Sequence, residues 1–198
     1  MAINRLILAS LSFYRAQLLK KAGLNFLIEG ASFDEREIEK KAKEKTPKEL
    51  SCFLASAKAK NVSNRFSDAF VIGCDQVLDL EGQVLHKVTN SKEAHQRLRD
   101  LSGKKHSLHS AVALFQNGQE IWVESFSAHM SVRPLSSEFI ERYLARVGTD
   151  VFNSVGVYQI EGEGIQLFEK IDGDFFTIVG LPLLPLLIKL RHLGVIDG

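Results

Sequence analysis

Hydrophobic and polar positions follow two rhythms along the chain, and the switches between them predict its elements. Residues 5–9, apolar without a break after Arg5, show the pattern of a strand covered on both faces, and "FYRAQLLKKAG" after them reads as a helix stopped at Gly23. "NFLIEG" gives a short strand, and the charged run behind it fits a solvated surface helix or loop. Pro47 opens a helix with Leu50, Phe53, Leu54 and Ala57 on one face. "DAFVIGCDQVLDLEGQVLHK" predicts two strands joined at Glu81-Gly82, and "SKEAHQRLRDLSG" a helix with serine at its start and glycine at its end. Two long strands meet at Asn117-Gly118, the strongest hairpin signal of the chain. "SSEFIERYLARVG" has a serine N-cap, an apolar stripe of Phe139, Ile140, Tyr143 and Leu144, and a glycine stop. A glycine-rich stretch with short strands then leads into a buried helix over residues 178–190, with Pro182 near its first turn.

Helices mixed with hairpins indicate an α/β fold around a mixed sheet, since an all-parallel sheet would have no hairpins. The 198 residues, 45% of them hydrophobic, suffice for one cooperative domain over 1–198, with room for two lobes. The 25 Lys and Arg nearly cancel the 24 Asp and Glu, so no global field draws the chain to nucleic acid or to a membrane surface. Any basic chemistry has to be local. Cys52 and Cys74 lack the spacing of a zinc site or a disulfide framework and fit small buried thiols in a reducing compartment. The apolar run at the N-terminus is too brief for a signal peptide, and residues 178–190 are shorter than the roughly 20 a membrane span needs. A cytoplasmic protein is expected.

The first turn carries the first candidate chemistry. A strand feeding a helix places unpaired N–H groups and the positive end of the helix dipole at the edge of a sheet, where an anion is favoured. Ser10 and Ser12 add hydroxyls there, and Arg15 adds a planar fork suited to phosphate oxygens. The plainer reading makes Ser12 an N-cap and Arg15 a surface residue. In "AFVIGCDQVL" an apolar strand leads through Gly73 to Asp75, whose carboxylate needs a cation, a metal or water and is expected at a strand end. Asp75 together with Glu35 of "FDEREIE" offers hard oxygens that suit Mg²⁺ better than zinc. Lys58, among small neighbours in "ASAKAK", and Lys87, after "GQVLH", complete a set that could hold a phosphate chain. His106 and His109 are three apart in a predicted strand, point to opposite faces and cannot share a metal.

In this order the pieces resemble the Maf family of nucleoside triphosphate pyrophosphatases along essentially the whole chain. The family's motifs appear as "ASLSFYR", "FDE", "ASAKA", "GCDQV", "LHK", "VGVYQIEGEG" and "VGLPL". "DQV", an aromatic residue before the arginine and "EGEG" after the tyrosine are similar to the subfamily that acts on 7-methyl-GTP. The resemblance implies an elongated central mixed sheet flanked by helices, with two lobes and the site in the cleft between them, as in inosine triphosphatase-like proteins. It also implies Asp75 as catalytic acid or base and as metal ligand with Glu35, substrate binding by Ser10, Ser12, Arg15, Lys58 and Lys87, and base selection by Tyr14, Gln76 and Glu161. A divalent cation follows as cofactor, Mg²⁺ first and Mn²⁺ as the alternative. The partner is a nucleoside triphosphate, with a homodimer as the one assembly left open.

Chemistry agrees with the split between phosphate and base residues. The ring of 7-methylguanine is cationic and stacks well on an aromatic face such as Tyr14, and a carboxylate such as Glu161 accepts from guanine's N1–H and amino group. Three positions depart from the family pattern: Phe13 and Ala16 stand where proline and a second arginine are usual, and Val88 where proline follows the lysine. Without that proline the loop aiming Lys87 should loosen. These departures give weight to a reading of another class, a nucleotide-binding cell-division regulator with little catalysis; a dTTP/UTP pyrophosphatase of the same family is the other alternative.

Overall fold

In the computed structural model, which describes residues 5–197, the opening apolar run is strand β1 (Arg5–Leu8), buried from Leu6 onward. Ser12 caps α1 (Phe13–Lys21) by accepting from the Arg15 backbone N–H. β2 (Leu27–Ile28) is short, and the charged run holds α2 (Glu35–Lys40), capped by Asp34 and with no buried residue. Thr46 and Glu49 form a reciprocal capping box on α3 (Pro47–Ser63). β3 (Ala69–Leu80) turns through Glu81 and Gly82, both at positive φ, into β4 (Gln83–Leu85). α4 (Ser91–Leu101) precedes the long hairpin of β5 (Lys105–Gln116) and β6 (Gln119–Val132), which turns at Asn117-Gly118 as expected. After α5 (Ser137–Val147) come two 3-10 turns (Asp150–Asn153 and Glu163–Leu167), β7 (Phe168–Asp172), α6 (Phe175–Val179) and α7 (Leu183–His192).

The strands build one sheet in the order β2-β1-β3-β5-β6-β7, with β4 paired to the end of β3. β1 runs parallel to β2 and β3, and the other pairs are antiparallel, which makes the sheet mixed as expected. One face is covered by α3. The other carries two apolar clusters side by side: Leu8, Ile72 and Leu114 under α1 and α7, and Leu78, Leu108 and Met130 under α4 and α5. These clusters are the two lobes, and β3 and β5 run through both.

Three local expectations change. The apolar run 178–190 is two helices, because Gly180 takes a left-handed φ of 108° after α6 and Pro182 has no N–H with which to continue it. On α3 the buried face is Leu50, Ser51, Leu54, Ala55, Ala59 and Val62, while Phe53 and Ala57 stay partly exposed; small residues face the sheet because Gly73 lets the helix backbone come very close. α4 is capped by Asn90, and Ser91 is its first helical residue. Among the described residues, no helix is long and apolar enough to cross a membrane.

His106 and His109 do point to opposite faces. His106 lies in the larger cluster with Nε2 2.7 Å from the Tyr158 hydroxyl and Nδ1 without a partner among the described residues, and burial followed by the Arg97 charge pulls its pKa down to about 4. His109 contacts Ser127 and Asp79, outside the cleft described below. The His106 shift sets a pH dependence. Below about pH 6.5 the unfolded chain takes up a proton there that the folded chain refuses until about pH 4, so this contribution is complete above 6.5 and is lost as pH falls through that window. It amounts to about 3 kcal/mol. We predict a melting temperature that falls between pH 6.5 and 4.5, with a shallower fall in His106→Phe; equal slopes would exclude His106 as the source.

Candidate active site

The site lies where an edge of β3 is uncovered. β1 pairs with β3 over Ala69–Ile72 and β4 over Leu78–Leu80, so the stretch from Gly73 to Val77 between them has no strand on that side among the described residues. There the chain of β1 turns away through Ser10 into α1, and a cleft of about 860 Å³ opens, lined from the turn, from α2 and α3, and from the segment after β4. A recess of about 100 Å³ adjoins it under α6 and the 153–161 loop. Asp75 is therefore in the middle of a strand, not at its end as the sequence suggested; the gap in the sheet edge gives it the access that a strand end would have given.

Asp75 is 4% exposed, and its Oδ1 accepts from Lys58 Nζ at 2.6 Å. Lys58 reaches it from α3 and also meets Glu35 Oε2 at 2.7 Å, so one ammonium sits between the two carboxylates proposed as metal ligands. Burial alone would lower the Lys58 pKa, but Asp75 and then Glu35 outweigh it and raise the value, so this lysine is cationic at neutral pH. The second oxygen of Asp75 has no hydrogen-bond partner among the described residues and is open to the cleft. Among those residues no three His, Cys, Asp or Glu groups form a metal cluster.

Arg15 is neither surface decoration nor a free anion hand. Its Nε donates to Gly180 O at 2.8 Å, and Nη1 donates to Cys74 O at 3.0 Å and Ser10 Oγ at 3.2 Å. The guanidinium thus ties the first turn to the bare edge of β3 and to the loop after α6, leaving Nη2 for a ligand. Ser12 is both N-cap and cleft wall. Lys87 makes no ion pair among the described residues, and partial desolvation by the cleft, followed by the Arg15 charge, lowers its pKa. An anion between these cations would relieve that repulsion.

Tyr14, Gln76 and Glu161 all line the recess. The Tyr14 hydroxyl accepts from Gln159 Nε2, and burial and then the Glu161 and Asp150 carboxylates raise its pKa. The carboxylate of Glu161 is exposed and takes part in no hydrogen bond or ion pair among the described residues. Beneath them the loop is held in an unusual shape: Val157, β-branched and buried, has a φ of 61°, and the Tyr143 hydroxyl donates to its carbonyl at 3.1 Å.

Residues 5–193 match the description of the Maf family, Maf-like proteins. The chain belongs to the Maf family. A relative from Bartonella quintana, named 7-methyl-GTP pyrophosphatase, is 84% identical, with 99% of each chain covered. One of the same name from Rhizobium meliloti is 53% identical, with 98% of each covered. Among solved structures, the Staphylococcus aureus Ham1 protein aligns at a TM-score of 0.46 and 15% identity, covering 65% of this chain and 72% of that one.

In this Maf protein the three departures from the usual pattern have visible places. Phe13 is 67% exposed at the cleft mouth, and Ala16 packs against the cluster under α1 and α7. Val88 is buried in the larger cluster, so it anchors the segment that carries Lys87, contrary to the looser loop expected without proline. Sequence reasoning missed Gln159, which meets Tyr14 from the other lobe, and Ser110, whose hydroxyl contacts Gln76. Gln159 lay inside a quoted motif, but a serine in an apolar strand carries no signal.

Proposed function

We propose that this protein hydrolyses 7-methyl-GTP to 7-methyl-GMP and pyrophosphate, removing a modified nucleotide from the pool. The observation that carries this reading is the meeting of Arg15, Lys58 and Lys87 beside one accessible carboxylate, with a recess of aromatic and acceptor groups next to them. The activity named in the relatives supports it. The reading treats residues 1–198 as one catalytic domain.

The triphosphate lies along the first turn. Arg15 Nη2 and the ammonium groups of Lys58 and Lys87 neutralise its oxygens, and the hydroxyls of Ser10 and Ser12 donate to them, which is most of what such a reaction asks of a protein. The free oxygen of Asp75 takes a proton from a water, that water's oxygen bonds to the α-phosphorus, and the bond from the α-phosphorus to the α,β-bridging oxygen breaks. Pyrophosphate leaves with the bridging oxygen. Lys58 donates to Oδ1 of Asp75 and so aims its other oxygen at the cleft. Tyr14 stacks on the cationic ring, and Glu161 accepts from the guanine edge.

Glu35 and Asp75 fit a divalent ion in one respect: both are hard oxygen donors, already drawn together around a single positive charge. Two carboxylates completed by phosphate oxygens and water are a Mg²⁺ type of set, with Mn²⁺ as the alternative. Such an ion would add charge neutralisation and acidify water.

Pyrophosphate release with Mg²⁺ from 7-methyl-GTP, GTP, dTTP, UTP and CTP tests the reading. The highest kcat/KM is expected for 7-methyl-GTP. Preference for dTTP or UTP would move the protein to the sister specificity, and binding without turnover would leave a nucleotide-binding regulator.

A further inference from the structure

The notable feature of the recess is the way Gln76 is held. It pairs across the sheet with Ser110 at the boundary between the two apolar clusters, where α6 lies over the sheet. Gln76 Nε2 faces three oxygens: Ser110 Oγ at 2.9 Å, Thr177 O at 3.1 Å and Ile178 O at 3.0 Å. Two of these are carbonyls at the end of α6, which cannot donate. The third is a hydroxyl whose own proton is committed to Thr177 O at 2.7 Å. All three are acceptors, so the group facing them must be the NH₂ and not the oxygen. Oε1 is turned the other way and has no hydrogen-bond partner among the described residues.

We infer that Ser110, a fully buried serine, is a positioning residue for base selection, fixing the Gln76 amide so that it presents only an acceptor to the base. The inference rests on the proposal that the recess receives the base. A guanine edge offers two adjacent donors, N1–H and the 2-amino group, to Oε1 and the Glu161 carboxylate. A uracil or thymine edge offers one donor between two carbonyls, and an acceptor aimed at a carbonyl is repelled. Ser110 acts at two points. It accepts from the amide, and by donating to Thr177 O it ties β5 to the end of α6, whose carbonyls are the other two acceptors of the same NH₂.

The test is a double-mutant cycle of Ser110→Ala with Gln76→Leu, read as kcat and KM for 7-methyl-GTP and UTP, together with NMR of the Gln76 side-chain NH₂ in the free protein. Ser110→Ala is expected to raise KM for 7-methyl-GTP about three- to ten-fold, the effect of one hydrogen bond, with little change in kcat, while UTP turnover is not lowered and rises if anything, because the repelling acceptor is released. It should have no further effect in the Gln76→Leu background, Ser110→Thr should restore the wild-type KM, and the NH₂ protons should exchange faster in Ser110→Ala. Equal losses for both nucleotides, additive effects with Gln76→Leu, or unchanged KM and exchange would each overturn the inference. If the wild type turns over neither nucleotide while Ser110→Ala still speeds exchange, the base reading of the recess fails and the amide lock stands.

Discussion

Asp75→Asn is expected to lower the rate of pyrophosphate release from saturating 7-methyl-GTP by about 10²- to 10⁴-fold, the range for loss of a general base. Asparagine has the same shape, and its carbonyl oxygen can still accept from Lys58, which also keeps Glu35 as a partner. The fold should therefore survive, and the melting temperature serves as the control. What the variant loses is the second carboxylate oxygen, the one open to the cleft. An NH₂ there offers water a donor instead of a proton acceptor. A rate within about threefold of wild type would remove Asp75 from the proton transfer and leave it a binding role. Lys58→Met should be harsher on the fold, since it leaves the buried Asp75 carboxylate without its cation.

Gly73→Ala has the largest expected effect on stability. A Cβ at position 73 would stand 2.1 Å from the backbone oxygen of Ala55, 2.8 Å from the Ala59 Cβ and 2.9 Å from the Ala59 N. None of these is the end of a flexible side chain, so α3 has to lift away from β3. Overpacking of this kind costs about 3 kcal/mol or more, which for a chain of this length is a fall in melting temperature of roughly 6–12 °C. The same movement would draw Lys58, on the lifted helix, away from Asp75, on the strand, so activity should fall with stability. Calorimetry and the pyrophosphate assay on one preparation check both. A melting temperature within about 2 °C of wild type would show that the helix can accommodate the methyl group.

The two predictions share a cause, because close packing of α3 on β3 is what brings the ammonium to the carboxylate. Only half of that was readable in the chain. Small residues around Lys58 and a glycine two before Asp75 stood out as sequence features, but their contact spans the distance between two separate elements. Lys58 and Lys87 are each unremarkable alone, and the fold joins them through the same gap in the edge of β3.

By itself the sequence determined the elements with strong local signals. The hairpin at Asn117-Gly118, the serine cap and apolar stripe of α5 and the mixed α/β class all follow from backbone preference and periodicity, which act within a few residues. It also determined the family, since seven motifs in order are a property of the chain. The tertiary structure decided the roles. Arg15 spends three of its hydrogen bonds on Ser10, Cys74 and Gly180, the last 165 residues away, and only a folded chain can show that an apparent phosphate ligand is also a structural tie. Asp75 is accessible in mid-strand because β1 ends opposite Ile72 and β4, running back from the turn, ends opposite Leu78, a matter of register between strands that no local pattern encodes. The orientation of Gln76 is set by three oxygens from β5 and α6, and hydrogen bonds between distant segments exist only once packing has brought their donors and acceptors together.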